Sequence, residues 1–256
     1  NSNDAEFKNN IEEKYKNVKC ILSSENIGMG AGNNLGIKNT DKDFTLILNP
    51  DVILDKSTID ELIIASKKID TFGIITPISD KSEFPNYKFN INENQTFNPV
   101  DPFKVETVDG YSMLLNLKRL RNLSKFNFFD ENFFLYLEND DFCKKLRKNK
   151  ENIYVVPKSK IYHLGGEAVD PKYKYEIELS RNWHWMWSKF YFNKKHYGYF
   201  NATLKILNNL ISAKIKFFYY FITFNNLKKK IYQMRLSGLL NSMLGKKSYY
   251  RPKLDD

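Results

Sequence analysis

The stretch FTLILNPDVILD, Phe44 to Asp55, runs an apolar segment into Asn-Pro-Asp and then resumes it. Proline has no N–H to give a strand ladder, so a strand beginning at Phe44 ends at Leu48, before Pro50. Asp51 then stands at the carboxyl end of a strand, the edge where ligands collect in open α/β sheets. Its carboxylate offers hard oxygen to a divalent cation there. The same three residues also make a turn that caps the next segment, and both readings stand on these residues alone.

Working outward, VKCIL (Val18–Leu22) reads as a short strand. The glycine-bearing loop SSENIGMGAGNN opens a helix to about Lys38. Thr58 and Glu61 have capping-box spacing and begin an amphipathic helix to about Ile69. FGIITPI is a further strand, closed by Pro77. Strand–helix alternation of this kind marks a mostly parallel sheet with helices on its faces. Residues 79–104 hold three prolines and many asparagines and read as a long loop or weak hairpin. VETVDGYSMLLNL is a strand kinked at Gly110, FDENFFLYLENDDFCKKLRKN leads into a helix, and IYVVPKSKIYHLGG gives two short strands ending at His163. From about Lys172 the chain reads as helical and aromatic-rich.

Composition narrows the classes. A chain of 256 residues can bury a sizeable core. Its net charge of +10 is gathered at one end: fourteen Lys or Arg face two acids from Lys189 onward, against 26 basic and 28 acidic residues before it. Such a basic quarter suits an anionic surface. There Leu204, Leu207, Ile211, Ile215, Phe218 and Ile222 share one helical face, followed by LKKK at Leu227–Lys230. An amphipathic basic helix can lie on an anionic membrane or pack on the rest of the protein. No stretch reaches the ~18 uninterrupted apolar residues of a spanning helix. No nucleic-acid motif is present, and the basic charge avoids the candidate site, so no nucleic-acid partner is expected. Two cysteines, Cys20 and Cys143, support neither a disulfide framework nor a zinc spacing.

Three further clusters carry chemistry. Gly28, Gly30 and Gly32 let backbone N–H groups approach a phosphate or sugar, or simply make turns; the spacing is not a clean dinucleotide fingerprint. Glu138, Asp140 and Asp141 open a helix. Acids there complement the helix dipole, or supply a base that takes a proton from a hydroxyl nucleophile. The preceding FFLY can bury one side of that turn and raise a carboxylate pKa. His163 ends a strand beside Gly165 and Gly166, as a structural residue, a metal ligand or a phosphate contact. His184 and His196 read as structural.

In order, NIGMGAGNNLGI, LILNPDV, VDGYSMLL, FDENFFLYLENDDFCKKL and IYHLGG resemble the successive motifs of family 2 glycosyltransferases of the GT-A fold. The likeness covers about residues 1–190 and is nearest to the bacterial rhamnosyltransferase-like branch that builds surface polysaccharides. It implies a mixed, mostly parallel α/β sheet flanked by helices, with a catalytic domain over residues 1–195 and a basic helical extension over 196–256. It implies an inverting enzyme that moves a rhamnose-like or other hexose from a dTDP- or UDP-linked donor to a glycan or lipid-linked acceptor. By resemblance Asp51 ligates Mg²⁺ or Mn²⁺ and Asn49 positions the donor. His163 is the second candidate metal ligand, and Asp4, Gly28, Gly30, Asn33 and Gly110 join Asn49 as candidate donor-binding residues. The acidic turn supplies the base. The family's second acid is Asn139 here, which leaves Glu138, or failing it Asp141. NSND at Asn1–Asp4 resembles the Ser-x-Asp that follows the family's opening strands. That implies an N-terminally truncated nucleotide-binding half, and so an inactive glycosyltransferase as one alternative, with a non-enzymatic membrane- or nucleic-acid-binding module as another. A lipid-linked acceptor would place the protein in the cytoplasm, peripheral on the inner face of the cell membrane.

Overall fold

The computed structural model describes residues 3–80, 85–88, 100–124, 126–165 and 170–252. Much of the polar stretch expected over residues 79–104, and Gly166, lie outside them. Helix α1 (Ala5–Lys14) is capped by Asp4, whose carboxylate accepts from Phe7 N at 2.8 Å. Helix α2 (Met29–Lys38), strands β1 (Phe44–Leu48) and β2 (Val52–Leu54), and helix α3 (Thr58–Lys68) follow, then β3 (Ile74–Ser79). Short strands β4 (Tyr87–Lys88), β5 (Phe103–Lys104) and β6 (Thr107–Val108) precede β7 (Ser112–Asn116) and the single turn α4 (Leu117–Leu120). Helix α5 (Glu138–Lys148) and the long strand β8 (Ile153–His163) lead to three helices, α6 (Lys174–Tyr197), α7 (Tyr199–Ile222) and α8 (Asn226–Met243).

The main sheet runs β1-β7-β3-β8-β2, with β5 also on β8. It is mixed and flanked by helices, as expected, but it is not mostly parallel. Among the described pairs only β3 and β8 run parallel; β1–β7, β3–β7, β2–β8 and β5–β8 are antiparallel. Strand–helix alternation predicts that β1 and β3 point the same way, and they do. It cannot foresee that a later strand, β7, runs between them in the opposite sense.

Three local expectations are corrected. VKCIL forms no strand: the Cys20 N–H donates to Glu12 Oε1 at 2.7 Å and its carbonyl accepts from Lys8 Nζ at 3.0 Å, so α1 side chains take its backbone groups. The two strands expected over 153–163 are one, shifted in register opposite Pro77 and Ile78 where Pro157 interrupts the ladder. That irregularity explains Thr58. Its hydroxyl donates to Lys160 O at 2.5 Å, and Ser159 Oγ donates to Thr58 O, so Thr58 anchors the bulge and makes no capping box.

Alternation along β3 shows why the sequence is apolar throughout. Ile74 packs with Met113, Phe142 and Leu146 on one face, and its neighbour Ile75 with Leu62 and Phe72 on the other. A strand covered on both faces needs no polar side. Each fully buried Ile or Leu contributes about 1.5–3 kcal/mol, so Ile75→Ala would cost roughly 2–4 kcal/mol.

The helical layer begins at Lys174, and α6 runs unbroken across the boundary expected at 195/196. Trp183, Trp187 and Leu179 of α6 pack with Phe133 and with Met234 of α8. Gly238 permits that approach, since a Cβ there would collide with Trp183 O. Ala202 and Ile206 turn α7 against Met186 and Phe190. The opposite face of α7 is bare: Ile215 is 63% exposed, Phe218 60% and Ile222 70%. No helix among the described residues is long and apolar enough to cross a membrane.

Candidate active site

A cavity of about 730 Å³ opens where β1 and β8 end and α5 begins. Asn49, Tyr111, Glu138 and His163 line it, and Trp185 of the helical layer closes one side. Its position is the strand-end crevice expected for a ligand. A second cavity, of about 860 Å³, lies by Asn34, Arg121 and Lys145. Two of its cations are already bound to carbonyls, Arg121 to Thr40 O and Lys145 to Asn127 O, so the strand-end cavity is the chemical one.

The Asn-Pro-Asp does form a turn, with Val52 N donating to Asn49 O at 3.2 Å and proline at its second position. The Asn49 N–H is fixed by Tyr111 O at 2.9 Å. Val52 pairs with His163 across β2 and β8, which brings Asp51 Oδ2 to 3.4 Å from His163 Nε2. The Tyr111 ring stacks on the imidazole at 4.1 Å and 16°. The turn therefore aims Asp51 at His163, and His163 faces the cavity. No cluster of three or more His, Cys, Asp or Glu that could hold a metal occurs among the described residues. A divalent cation that takes most of its ligands from a bound molecule and water would need only one or two from the protein. One carboxylate and one imidazole at this separation fit that role.

Glu138 opens α5 and is 2% exposed. Its Oε2 has no hydrogen-bond partner among the described residues. Burial pushes its carboxyl up to about 7, with the charge of Asp140 adding to the rise. The two residues before it, Tyr136 and Leu137, both hold left-handed backbone, at φ 71° and 66°. Non-glycine residues in that region are strained, and such strain clusters at functional sites. Beyond Glu138 the acids separate by surroundings. Asn139 Nδ2 donates to Val108 O at 2.7 Å. Asp140 accepts from Thr107 Oγ1 at 3.1 Å and lies 3.7 Å from Lys88. Asp141 is fully buried away from the cavity wall, against His196, Lys195 and Lys145.

The other residues expected to touch a donor divide. Gly110 lines the cavity, and a Cβ there would fall 2.5 Å from Met29 Cε. Gly28 has φ +90°, and a Cβ on it would meet Phe134 O at 2.5 Å. Gly30 sits 3.1 Å, by the same measure, from Phe129. These two glycines let α2 lie against the Phe129–Phe134 segment, and the Met29 N–H bonds Phe134 O. Asn33 on that helix keeps a buried Nδ2 with no hydrogen-bond partner among the described residues. Gly28, Gly30 and Asn33 are not on the cavity wall, and Asp4 caps α1 elsewhere.

Sequence reasoning missed Tyr111, Tyr136 and Trp185, all on the wall. Only Tyr111 had a visible signal, as the residue after Gly110. His184 and His196 are structural as expected: His184 bonds Tyr250 O and Ser248, and burial lowers its pKa to about 4.

No family model matches the chain. Among curated proteins it is 27% identical over 155 residues to the low-salt glycan biosynthesis hexosyltransferase Agl10 of Haloferax volcanii, covering 54% of this chain and 49% of that protein. The chain thus spans about half the length of the curated relative it matches. Among solved structures, GalNAc-T7 with UDP, GalNAc and Mn²⁺ superposes with a TM-score of 0.53 at 14% identity, over 72% of this chain and 43% of that one. At that identity the likeness shows the fold alone, and the fold is of the GT-A type.

Proposed function

We propose that the chain is the catalytic part of an inverting, metal-dependent hexosyltransferase that uses a nucleotide-diphosphate sugar, dTDP- or UDP-linked. The observation that carries this reading is the unpartnered Glu138 Oε2, on a cavity wall shared with His163 and its partner Asp51. The matched hexosyltransferase relative supports it.

In this reading the acceptor hydroxyl gives its proton to Glu138 Oε2 as its oxygen attacks the anomeric carbon. The bond from that carbon to the diphosphate breaks on the opposite face, the electron pair leaves with the nucleoside diphosphate, and the configuration inverts. A carboxyl poised near 7 is half ionised at neutral pH and strong enough as a base to share the proton in the transition state. Asn49 and Gly110 lie on the donor side of the wall. Asp51 and His163 would hold Mg²⁺ or Mn²⁺, which supplies positive charge where the diphosphate gains negative charge. Asp141, with its oxygens engaged by Lys195 and His196, is a positioning residue.

The sugar moved would be rhamnose-like or another hexose, and the acceptor a surface polysaccharide or lipid-linked glycan. The bare apolar stripe of α7, with Lys214, Lys216 and Lys228–Lys230 nearby, suits a peripheral position on the anionic inner face of a cell membrane. The test is a screen of nucleotide sugars for Mn²⁺-dependent hydrolysis or transfer. Turnover that is lost in Glu138→Gln supports the proposal; no turnover and no binding with any donor overturns it.

A further inference from the structure

Three tryptophans lie close together on α6, and they do different things. Trp183 and Trp187, four residues apart on one face, are 0% and 2% exposed inside the helical layer. Trp185 projects from the opposite face, is 38% exposed and lines the cavity. Trp185 belongs to neither hydrophobic cluster of the helical layer. Its ring meets that of Tyr136 edge to face, with centroids 5.4 Å apart and planes at 87°. Tyr136 is held on the wall by its left-handed backbone, two residues before Glu138. Two aromatic rings thus line the same cavity as Glu138, whose buried Oε2 has no hydrogen-bond partner among the described residues.

We propose that Trp185 and Tyr136 form a stacking platform for a pyranose ring, the terminal sugar of the acceptor. The face of an aromatic ring is electron-rich, and a sugar ring presents a patch of C–H groups to it while its hydroxyls stay free to hydrogen-bond. Trp offers the largest such face at little entropic cost. The assignment to the acceptor rests on the glycosyltransferase reading: the group that takes the acceptor's proton adjoins this platform, whereas Asp51 and His163 sit by Tyr111.

The experiment uses the chain without donor, and the methyl pyranosides of glucose, galactose, mannose and rhamnose as probes. Saturation-transfer NMR should show ring C–H contacts with at least one probe. The signal should fall roughly fivefold or more in Trp185→Ala and be largely kept in Trp185→Phe. No contact with any probe in the wild type, or equal contact in Trp185→Ala, overturns the platform. A parallel titration with UDP-glucose and dTDP-rhamnose in Mn²⁺ separates the sources. Donor affinity unchanged within twofold in Trp185→Ala supports the acceptor; a donor loss as large as the probe loss assigns the ring to the donor sugar and overturns the acceptor assignment. Failure of every nucleotide sugar to bind the wild type, with the probes still stacking, would count against the glycosyltransferase reading and leave the platform standing.

Discussion

His196 Nε2 lies 2.8 Å from Asp141 Oδ1, inside the seam between the last turn of α6 and the first turn of α5. Lys195 joins from the same turn, with its Nζ 2.9 Å from Asp141 Oδ2. The helix that begins with Glu138 is thereby clamped to the helical layer. Burial lowers the His196 pKa against the opposing pull of Asp141, while Lys195 and Lys145 are the cations of the cluster. Asp141→Asn should cost on the order of 3 kcal/mol, the usual penalty for removing one member of a buried charge cluster. Thermal unfolding of the variant reads this directly. If Asp141→Asn abolishes transfer while leaving stability intact, Asp141 and not Glu138 is the base.

Glu138 gives two separable readouts. Transfer or donor hydrolysis should rise with pH through an inflection near 7, where its carboxyl ionises. Stability should move the other way. The folded-state pKa, about 7, lies above the ordinary 4.5, so the favourable contribution is complete below about 4.5 and is lost as pH climbs to 7. Glu138→Gln should therefore unfold like the wild type at pH 4.5 and be more stable at pH 8, by about 3 kcal/mol at roughly 1.4 kcal/mol per pKa unit. Lower stability of the variant at pH 8 would remove the buried, unpaired carboxyl from the account.

Asp51→Ala should weaken Mn²⁺-dependent donor binding and lower turnover by ~10²-fold or more. His163→Ala should act in the same direction. Isothermal titration with UDP and Mn²⁺ checks both variants without relying on turnover. Wild-type affinity in Asp51→Ala would return that residue to a turn-forming role.

The triple variant Ile215→Ser, Phe218→Ser, Ile222→Ser alters side chains that are already exposed, so its unfolding should match the wild type. Its sedimentation with phosphatidylserine-containing vesicles should be lost. Wild-type binding should weaken with salt, since each lysine near the surface contributes ~1 kcal/mol of screened attraction. Deleting α7 outright is a poorer test, because Ala202 and Ile206 cover Met186 and Phe190. Equal binding to neutral phosphatidylcholine vesicles would overturn the membrane assignment.

The readable parts of the sequence were those governed by local rules. Pro50 ended β1 where its missing N–H requires, and the acids after FFLYL opened a helix with Glu138 buried at its start. Parallel neighbours were misjudged because β7 enters between β1 and β3 through long-range pairing, which no local period encodes. Trp185 could not be told from Trp183 and Trp187 in a helix that is apolar on several faces. The difference between Asp140 and Asp141, one on the wall and one in the clamp, depends on which way α5 is turned, and α6 fixes that.

The pairing of β2 with β8 has a consequence for how the protein comes into being. Asp51 is made early and His163 late, and Val52 meets its register partner only when the far end of β8 has been synthesised. A nascent chain ending at Lys150 holds β2 with no strand beside it and α5 with no α6 to orient it. Folding must therefore close long loops before any site exists, an entropic demand that slows it and leaves the early strands exposed meanwhile. Partly made chains lack the cavity, and Glu138 and His163 share its wall only once the whole sheet is in register.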